Sequence, residues 1–161
     1  MLIRELDASR DLDILTALQT EAQDYWLLAD GNCNPAQKAA DFFTDAPPNC
    51  DPAQSQRLGL FTEGQLSGIA ELSFGFPNPG DAYLGLMLLA PRLRSVGAGP
   101  VLLAEIESRA RAAAAAKLYL AVLEVNPRGG AFWLRMGFRP TGKSGQDPDT
   151  GQIQHRLVKP L

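Results

Sequence analysis

Residues Arg94-Ser95-Val96-Gly97-Ala98-Gly99 stand between an unbroken apolar run, Leu84 to Leu89, and an amphipathic stretch, Leu102 to Ala116. That order reads as strand, glycine loop, helix. It aims consecutive backbone N–H groups at one point and adds the positive end of a helix dipole there. The chemistry is anion binding, with a phosphate or pyrophosphate as the fitting ligand. A tight strand-to-helix turn without a ligand is the competing reading. The loop is not the dinucleotide fingerprint G-x-G-x-x-G, because position 102 is Leu102, and no Gly-Lys-Ser/Thr follows as in a Walker A loop.

The elements that must position this loop can be read from periodicity. Leu2 to Leu6 reads as a strand. Ser9 is a candidate cap for a helix carrying Asp11 and Asp13 in its first turn and Leu12, Leu15, Leu18 and Ala22 at helical spacing. Asn34-Pro35 opens a second helix with an apolar stripe of Ala36, Ala39, Phe42 and Phe43. Residues 45 to 56 are proline-broken loop. Arg57 to Thr62 and Gln65 to Phe74 flank the turn signal Glu63-Gly64. Ala82 to Leu89 is apolar on both faces, as a strand covered on both sides requires. After the long helix, Lys117 to Leu123 is a strand and Asn126-Pro127 starts a short helix ending at Gly137, with ordered turns from Ala131. Phe138 to Thr141 and Ile153 to Val158 form a closing hairpin with a polar tip.

The 161 residues have the length of one domain able to bury a core, and residues 1–161 are read as a single unit. Hydrophobic residues at 45% and charged residues at 20% give a soluble globular balance. A net charge of −3 and the absence of a basic tract argue against nucleic acid or an anionic membrane as partner. No apolar stretch reaches membrane-spanning length, and Met1-Leu2-Ile3-Arg4-Glu5 lacks the order of a signal peptide, so a cytoplasmic location is expected. Cys33, Cys50 and the single histidine, His155, are too few at these spacings for a metal site. Both cysteines are read as reduced bystanders and His155 as a packed strand residue.

Leu89-Ala90-Pro91-Arg92-Leu93-Arg94-Ser95-Val96-Gly97-Ala98-Gly99 resembles the acetyl-CoA loop of the Gcn5-related N-acetyltransferase (GNAT) superfamily, apolar-x-Pro-x-x-Arg-x-x-Gly-x-Gly. Further on, Asn126-Pro127 and Phe132-Trp133-Leu134-Arg135-Met136-Gly137-Phe138 resemble that family's Asn followed by Tyr-x-x-x-Gly-Phe. The resemblance implies an α/β (α+β) GNAT fold, a mixed central sheet of about six to seven strands flanked by about four helices. Two central parallel strands would splay, and acetyl-CoA, a cosubstrate, would lie in the gap. Met87 and Leu89 would then offer backbone to the pantetheine arm, and an N–H near Leu88 or Leu89 would face the reacting oxygen. The amides of Arg94, Ser95, Val96, Gly97, Ala98 and Gly99 would wrap the pyrophosphate. Arg94 would add a positive side chain, Gly97 and Gly99 would allow close approach or unusual backbone angles, and Pro100 would sit in the first helical turn. Asn126 would contact the pantetheine arm or cap the short helix.

The chain departs from the family pattern at Trp133, where many members carry an acidic Tyr. An indole N–H donates a hydrogen bond but is no useful acid, so Trp133 either lines the thioester pocket or is a core aromatic. The strand position at which some members carry a base is Tyr83 here. A carboxylate can reach the same place from the neighbouring strand. A register setting Leu72 opposite Leu84 sets Ser73 opposite Tyr83 and Glu71 opposite Gly85, and paired residues share a face. Glu71 could then take a proton from an amine, directly or through water. A solvated strand residue is the other reading of Glu71, and Glu124 is a weaker candidate. Tyr25, Trp26 and Asp30 lie where family members usually build the acceptor pocket, or form an ordinary helix end. The resemblance implies an acetyl-CoA-dependent N-acetyltransferase acting on a primary amine of a small molecule or peptide in a ternary complex. A CoA-binding sensor without turnover is the rival, and a homodimer through an exposed edge is compatible with such folds.

Overall fold

The computed structural model describes residues 1–161. The chain order is β1 (Leu2–Glu5), α1 (Ala8–Glu21), α2 (Gln23–Asp30), α3 (Pro35–Thr44), β2 (Gln56–Thr62), β3 (Gln65–Phe74), β4 (Ala82–Leu89), α4 (Ala98–Ala112), β5 (Lys117–Leu123), α5 (Pro127–Arg135), β6 (Arg139–Gln146) and β7 (Ile153–Pro160). Single 3-10 turns stand at Pro52–Gln54 and Pro91–Leu93.

The strands form one seven-stranded sheet in the order β1-β2-β3-β4-β5-β7-β6, and β4 with β5 is its parallel pair. Alternation puts apolar side chains on both faces. Leu58, Leu60, Leu72, Leu84, Leu118 and Leu120 pack under Leu102, Leu103 and Ile106 of α4, with Phe138 fully buried among them. On the opposite face, Ile69, Leu66 and Leu88 pack under Leu15 and Leu18 of α1 and Phe42 of α3. Burying one large aliphatic side chain is worth about 1.5–3 kcal/mol, so these two layers clamp the sheet between helices.

Several expectations are corrected. The helices number five, because Gln23–Asp30 is helical and separated from α1 by Ala22, whose own backbone leaves the helical region (φ −98°, ψ 21°). No side chain caps its start, so only the left-handed Gly31 (φ 77°) at its end marks it in sequence. The cap of α1 is Asp7, which accepts from Ser9 N at 2.8 Å; Ser9 itself donates its hydroxyl to the same oxygen. The long helix starts at Ala98 and ends at Ala112, four residues earlier at each end than the apolar spacing suggests. Ala98, Gly99 and Pro100 are thus its first turn. The closing hairpin extends to Gln146 and Pro160, with Thr141-Gly142-Lys143 bulged out where the register shifts between Pro140 and Ser144.

Candidate active site

The glycine loop follows β4 directly. Ser95 (φ 62°) and Gly97 (φ 87°) are left-handed, and Gly97 stands at the N-cap of α4 with no side-chain cap. The N–H groups of Ser95, Val96, Gly97, Ala98 and Gly99 find no acceptor in the protein. Five unpaired donors in sequence at the head of a helix are a geometry suited to an anion. Arg94 is not part of that run, because its N–H donates to Pro91 O at 3.2 Å. Its side chain is also committed: both terminal nitrogens meet the Asp24 carboxylate on α2, and Nε donates to Leu89 O at 3.2 Å. A second cation at the loop is Arg128, at the start of α5, whose Nη2 donates to Ser95 Oγ at 2.7 Å. Nothing local in the sequence signals that contact.

The two glycines differ. No atom lies within 4 Å of a Cβ built at Gly97, so glycine is needed there for its backbone angle. A Cβ at Gly99 would come within 3.0 Å of the Phe132 ring, so Gly99 serves the packing of α4 against α5.

Beside the loop the sheet opens. Pairing of β4 with β5 covers Ala82↔Leu118, Tyr83↔Tyr119 and Leu84↔Leu120 and then stops. On its other edge β4 stays paired to β3 as far as Gly68↔Leu89, and Ala90 N donates to Ser67 O at 2.8 Å. Peptide groups alternate between edges in an antiparallel ladder. Leu88 therefore turns its backbone into β3, while Met87 and Leu89 turn theirs into the gap. Of the two candidate oxygen-binding amides, geometry leaves Leu89.

Glu71, Ser73 and Tyr83 share a face, the one covered by α1 and α3. Leu72 lies opposite Leu84 and Ser73 opposite Tyr83, as expected, but Glu71 lies opposite Leu86. Gly85 is the extra residue of a β-bulge, which alternation alone cannot reveal. Its missing side chain is still what admits the carboxylate, since a Cβ there would collide with Glu71 Oε2. Glu71 is only 5% exposed. Ser73 Oγ donates to Glu71 Oε1 and lies 2.7 Å from Ser55 Oγ. Buried Arg57 stands on the same face, its guanidinium donating to the carbonyls of Phe42 (2.5 Å), Asp45 (2.9 Å) and Pro52 (3.3 Å). Burial pushes the Glu71 carboxyl above the usual carboxylate range; the hydroxyls of Ser73 and Ser55 and the charge of Arg57 hold it back. Burial likewise raises the Tyr83 hydroxyl, with Arg156 opposing and Glu71 reinforcing the shift. Cys50 belongs to the edge of this cluster: its thiol meets Phe74 O at 3.3 Å and is raised by burial and by Glu71.

Trp26 and Asp30 do close around an amine, but it is the protein's own Lys38. Its Nζ lies 4.1 Å from the Trp26 ring centroid and 2.5 Å from Asp30 Oδ2. Tyr25 packs edge-on to Trp26 at 4.9 Å, and burial, then Asp30, raises its hydroxyl. Trp26 Nε1 donates to Gln19 Oε1 at 2.6 Å, leaving the buried Gln19 Nε2 without a partner.

Asn126 is a cap: its Oδ1 accepts from Gly129 N at 3.0 Å. Trp133 is partly buried against the larger core, edge-on to Phe132 at 4.9 Å and to Phe138 at 5.3 Å. His155 bridges Ser144 Oγ (2.7 Å) and Glu124 Oε1 (3.3 Å), which occupies both groups. Two adjoining cavities flank the closing hairpin. One, of about 280 Å³, lies between Val122, Leu134 and Leu157 on the α5 side. The other, of about 330 Å³, is lined by Tyr83, Ala121, Lys143, Ser144, Gly145, Gln154 and Arg156.

The sequence profile of the Acetyltransferase (GNAT) family matches residues 15–138. A search of curated proteins finds no match to the chain. Among solved structures, an acetyltransferase from Thermus thermophilus superposes with a TM-score of 0.77 at 20% identity, over 100% of this chain and 98% of that one. A ribosomal-protein-alanine N-acetyltransferase from Brucella melitensis gives 0.75 at 23% identity, over 100% of both chains. A PaiA N-acetyltransferase from Thermoplasma acidophilum, in complex with coenzyme A, gives 0.74 at 22% identity, over 99% and 98%. A loop of unpaired amides, an opened parallel strand pair and a profile spanning most of the sequence agree, and the chain belongs to the GNAT family of acetyltransferases.

Proposed function

We propose that this protein transfers an acetyl group from acetyl-CoA to the primary amine of a small molecule or peptide, the amine attacking the thioester directly with both substrates bound. The observation that carries this reading is the run of five unpaired N–H groups, Ser95 to Gly99, at the mouth of the gap between β4 and β5. A diphosphate fits that cradle, with Arg128 beside it, and an extended thiol-bearing arm fits the exposed backbone of Met87 and Leu89. Coenzyme A, when bound, supplies the activated acetyl group; the rest of the chemistry belongs to the chain.

The amine forms its bond to the acetyl carbon, the C–S bond breaks, and the amine loses a proton. Glu71 is the base in this reading: it is buried, lies on the same face as Tyr83 and overhangs the bulge at Gly85. Its raised proton affinity makes it a better base than an exposed carboxylate. A gap-facing N–H of β4 close to the bulge stabilises charge on the acetyl oxygen. Trp133 has no proton to give, so the departing sulfur is served by the Tyr83 hydroxyl, which burial keeps protonated. Tyr25 belongs to the wall of the acceptor side, and Trp26 and Asp30 support that wall through Lys38.

The purified protein mixed with acetyl-CoA and a panel of amines tests the reading. Free thiol and an N-acetylated product are expected with at least one amine, together with a heat of coenzyme binding. Coenzyme binding with no thiol release from any amine would mark a sensor, for which the packed Trp133 is the motivating feature. No coenzyme binding would remove both readings.

A further inference from the structure

The cavity of about 330 Å³ lies on the Glu71 face of the sheet. Tyr83 lines it from β4 and Ala121 from β5, and Ala121 is the first residue beyond the last pair joining those strands. The cavity is thus the mouth of the gap on the side from which an amine would reach Glu71. Arg156 lies across from Ala121 on β7 and shares its face, across the gap from Tyr83, behind which Glu71 is buried on the same face of the sheet.

The charges lining that cavity are Lys143 and Arg156, with no acid among the lining residues. Neither cation takes part in any ion pair of the protein. Arg156 is half-buried and Lys143 is exposed; elsewhere the half-buried cations Lys38, Arg94, Arg109 and Lys159 each have a carboxylate, and buried Arg57 is held by backbone carbonyls. Arg156 is held by aromatic packing instead: its guanidinium lies 5.1 Å from the Phe76 ring centroid, and Phe76 packs edge-on to Tyr83 at 5.0 Å. Stacking leaves the edge of the guanidinium, with its fork of donors, free for a ligand. Lys143 reaches the same space because Thr141-Gly142-Lys143 bulges out of β6.

Two uncompensated cations repel an acceptor that is only an ammonium ion. They suit one whose positive end is balanced by a nearby negative end. We propose that the acceptor is a small primary amine carrying its own carboxylate, an amino acid or close analogue, with Arg156 and Lys143 on the carboxylate and Glu71 and Tyr83 at the amine. The proposal rests on the transferase reading and narrows it, since a peptide N-terminus has no carboxylate beside its amine. A planar carboxylate meets a guanidinium through two parallel hydrogen bonds, which would also orient the amine toward the gap.

The experiment compares amino acids with their carboxamides, using acetyl-CoA and thiol release, with rates expressed per unprotonated amine. The wild type is expected to favour the acids by about tenfold or more in kcat/KM. Arg156→Gln should erase most of that ratio and Arg156→Lys should keep part of it. Equal use of acids and amides, or a ratio unchanged in Arg156→Gln, overturns the proposal. Calorimetry with the same compounds on CoA-saturated protein separates this proposal from the transferase reading. Acid binding that is lost in Arg156→Gln supports the carboxylate site even if no amine releases thiol. Acid binding absent, or seen only without CoA, overturns it, the latter because Arg156 would then belong to the coenzyme site.

Discussion

Gly85 and Glu71 compete for one volume: the carboxylate oxygen Oε2 fills the space that a Cβ at Gly85 would take. The bulge makes this possible, since Glu71 faces Leu86 and Leu72 faces Leu84, leaving Gly85 unpaired between them. The buried base candidate therefore hangs over the one point of β4 that presents no side chain, just after the strand parts from β5.

Gly85→Ala tests that placement. The added methyl must displace Glu71 or the strand, so thermal unfolding should show a loss of about 1–3 kcal/mol. Steady-state kinetics should show kcat lower by about 10- to 100-fold, as for a misplaced catalytic group. A variant with parental kcat would take the Glu71 position out of the mechanism.

Glu71→Gln separates catalysis from stability. Turnover should fall by about 100-fold or more, and the acidic limb of the pH–rate profile should vanish with the group that produces it. Stability should move the other way. Burial makes the folded protein hold the Glu71 proton more tightly than the unfolded chain does. Raising the pH therefore strips protons from the unfolded chain first, and wild-type stability declines as pH climbs from the ordinary carboxylate range through the raised folded value. At pH above the raised folded value the variant should unfold at a higher temperature than the wild type, with the gap narrowing in acid. A gap that widens in acid would contradict a carboxyl whose proton is held more tightly by burial.

The glycines of the loop give a paired prediction. Gly97→Ala forces a side chain onto a residue at φ 87°, at a cost of about 1–2 kcal/mol, and re-aims the amides around it. CoA affinity by calorimetry should drop about tenfold or more, with the fold intact by circular dichroism. Gly99→Ala presses on the Phe132 ring at 3.0 Å and should lower the unfolding temperature more than it lowers affinity. The reverse pattern would move the anion site away from Gly97.

What the sequence disclosed follows from which interactions are local. The strands 57–62, 65–74, 82–89 and 117–123 were legible because each alternates or runs apolar between turn residues, and Glu63 (φ 51°) with Gly64 (φ 76°) is a left-handed pair suited to a tight hairpin. Glu71, Ser73 and Tyr83 were legible as one face from a period of two. The bulge was not, because one inserted residue leaves no trace in composition. Helix α2 was missed since eight residues without a cap carry a weak pattern. Arg94–Asp24, Arg128–Ser95 and the cage of Lys38 escaped for another reason: each joins residues from different elements, and long-range partnerships have no period to read. Arg57, Ser55 and Arg156 were missed on the same ground, and only the folded sheet brings them to Glu71 and Tyr83.

Three residue pairs, Ala82–Leu118, Tyr83–Tyr119 and Leu84–Leu120, are the only ladder pairs that join strands β1 to β4 to the leaf made of β5, β7 and β6. Past that short spine, Met87 and Leu89 are rim residues stranded in mid-sheet. Bare rims ordinarily invite foreign strands, and proteins guard them with charge or bulges. Here the bare rims lie inside the strand order, between β3 and β5, and not at either outer edge where a foreign sheet would join.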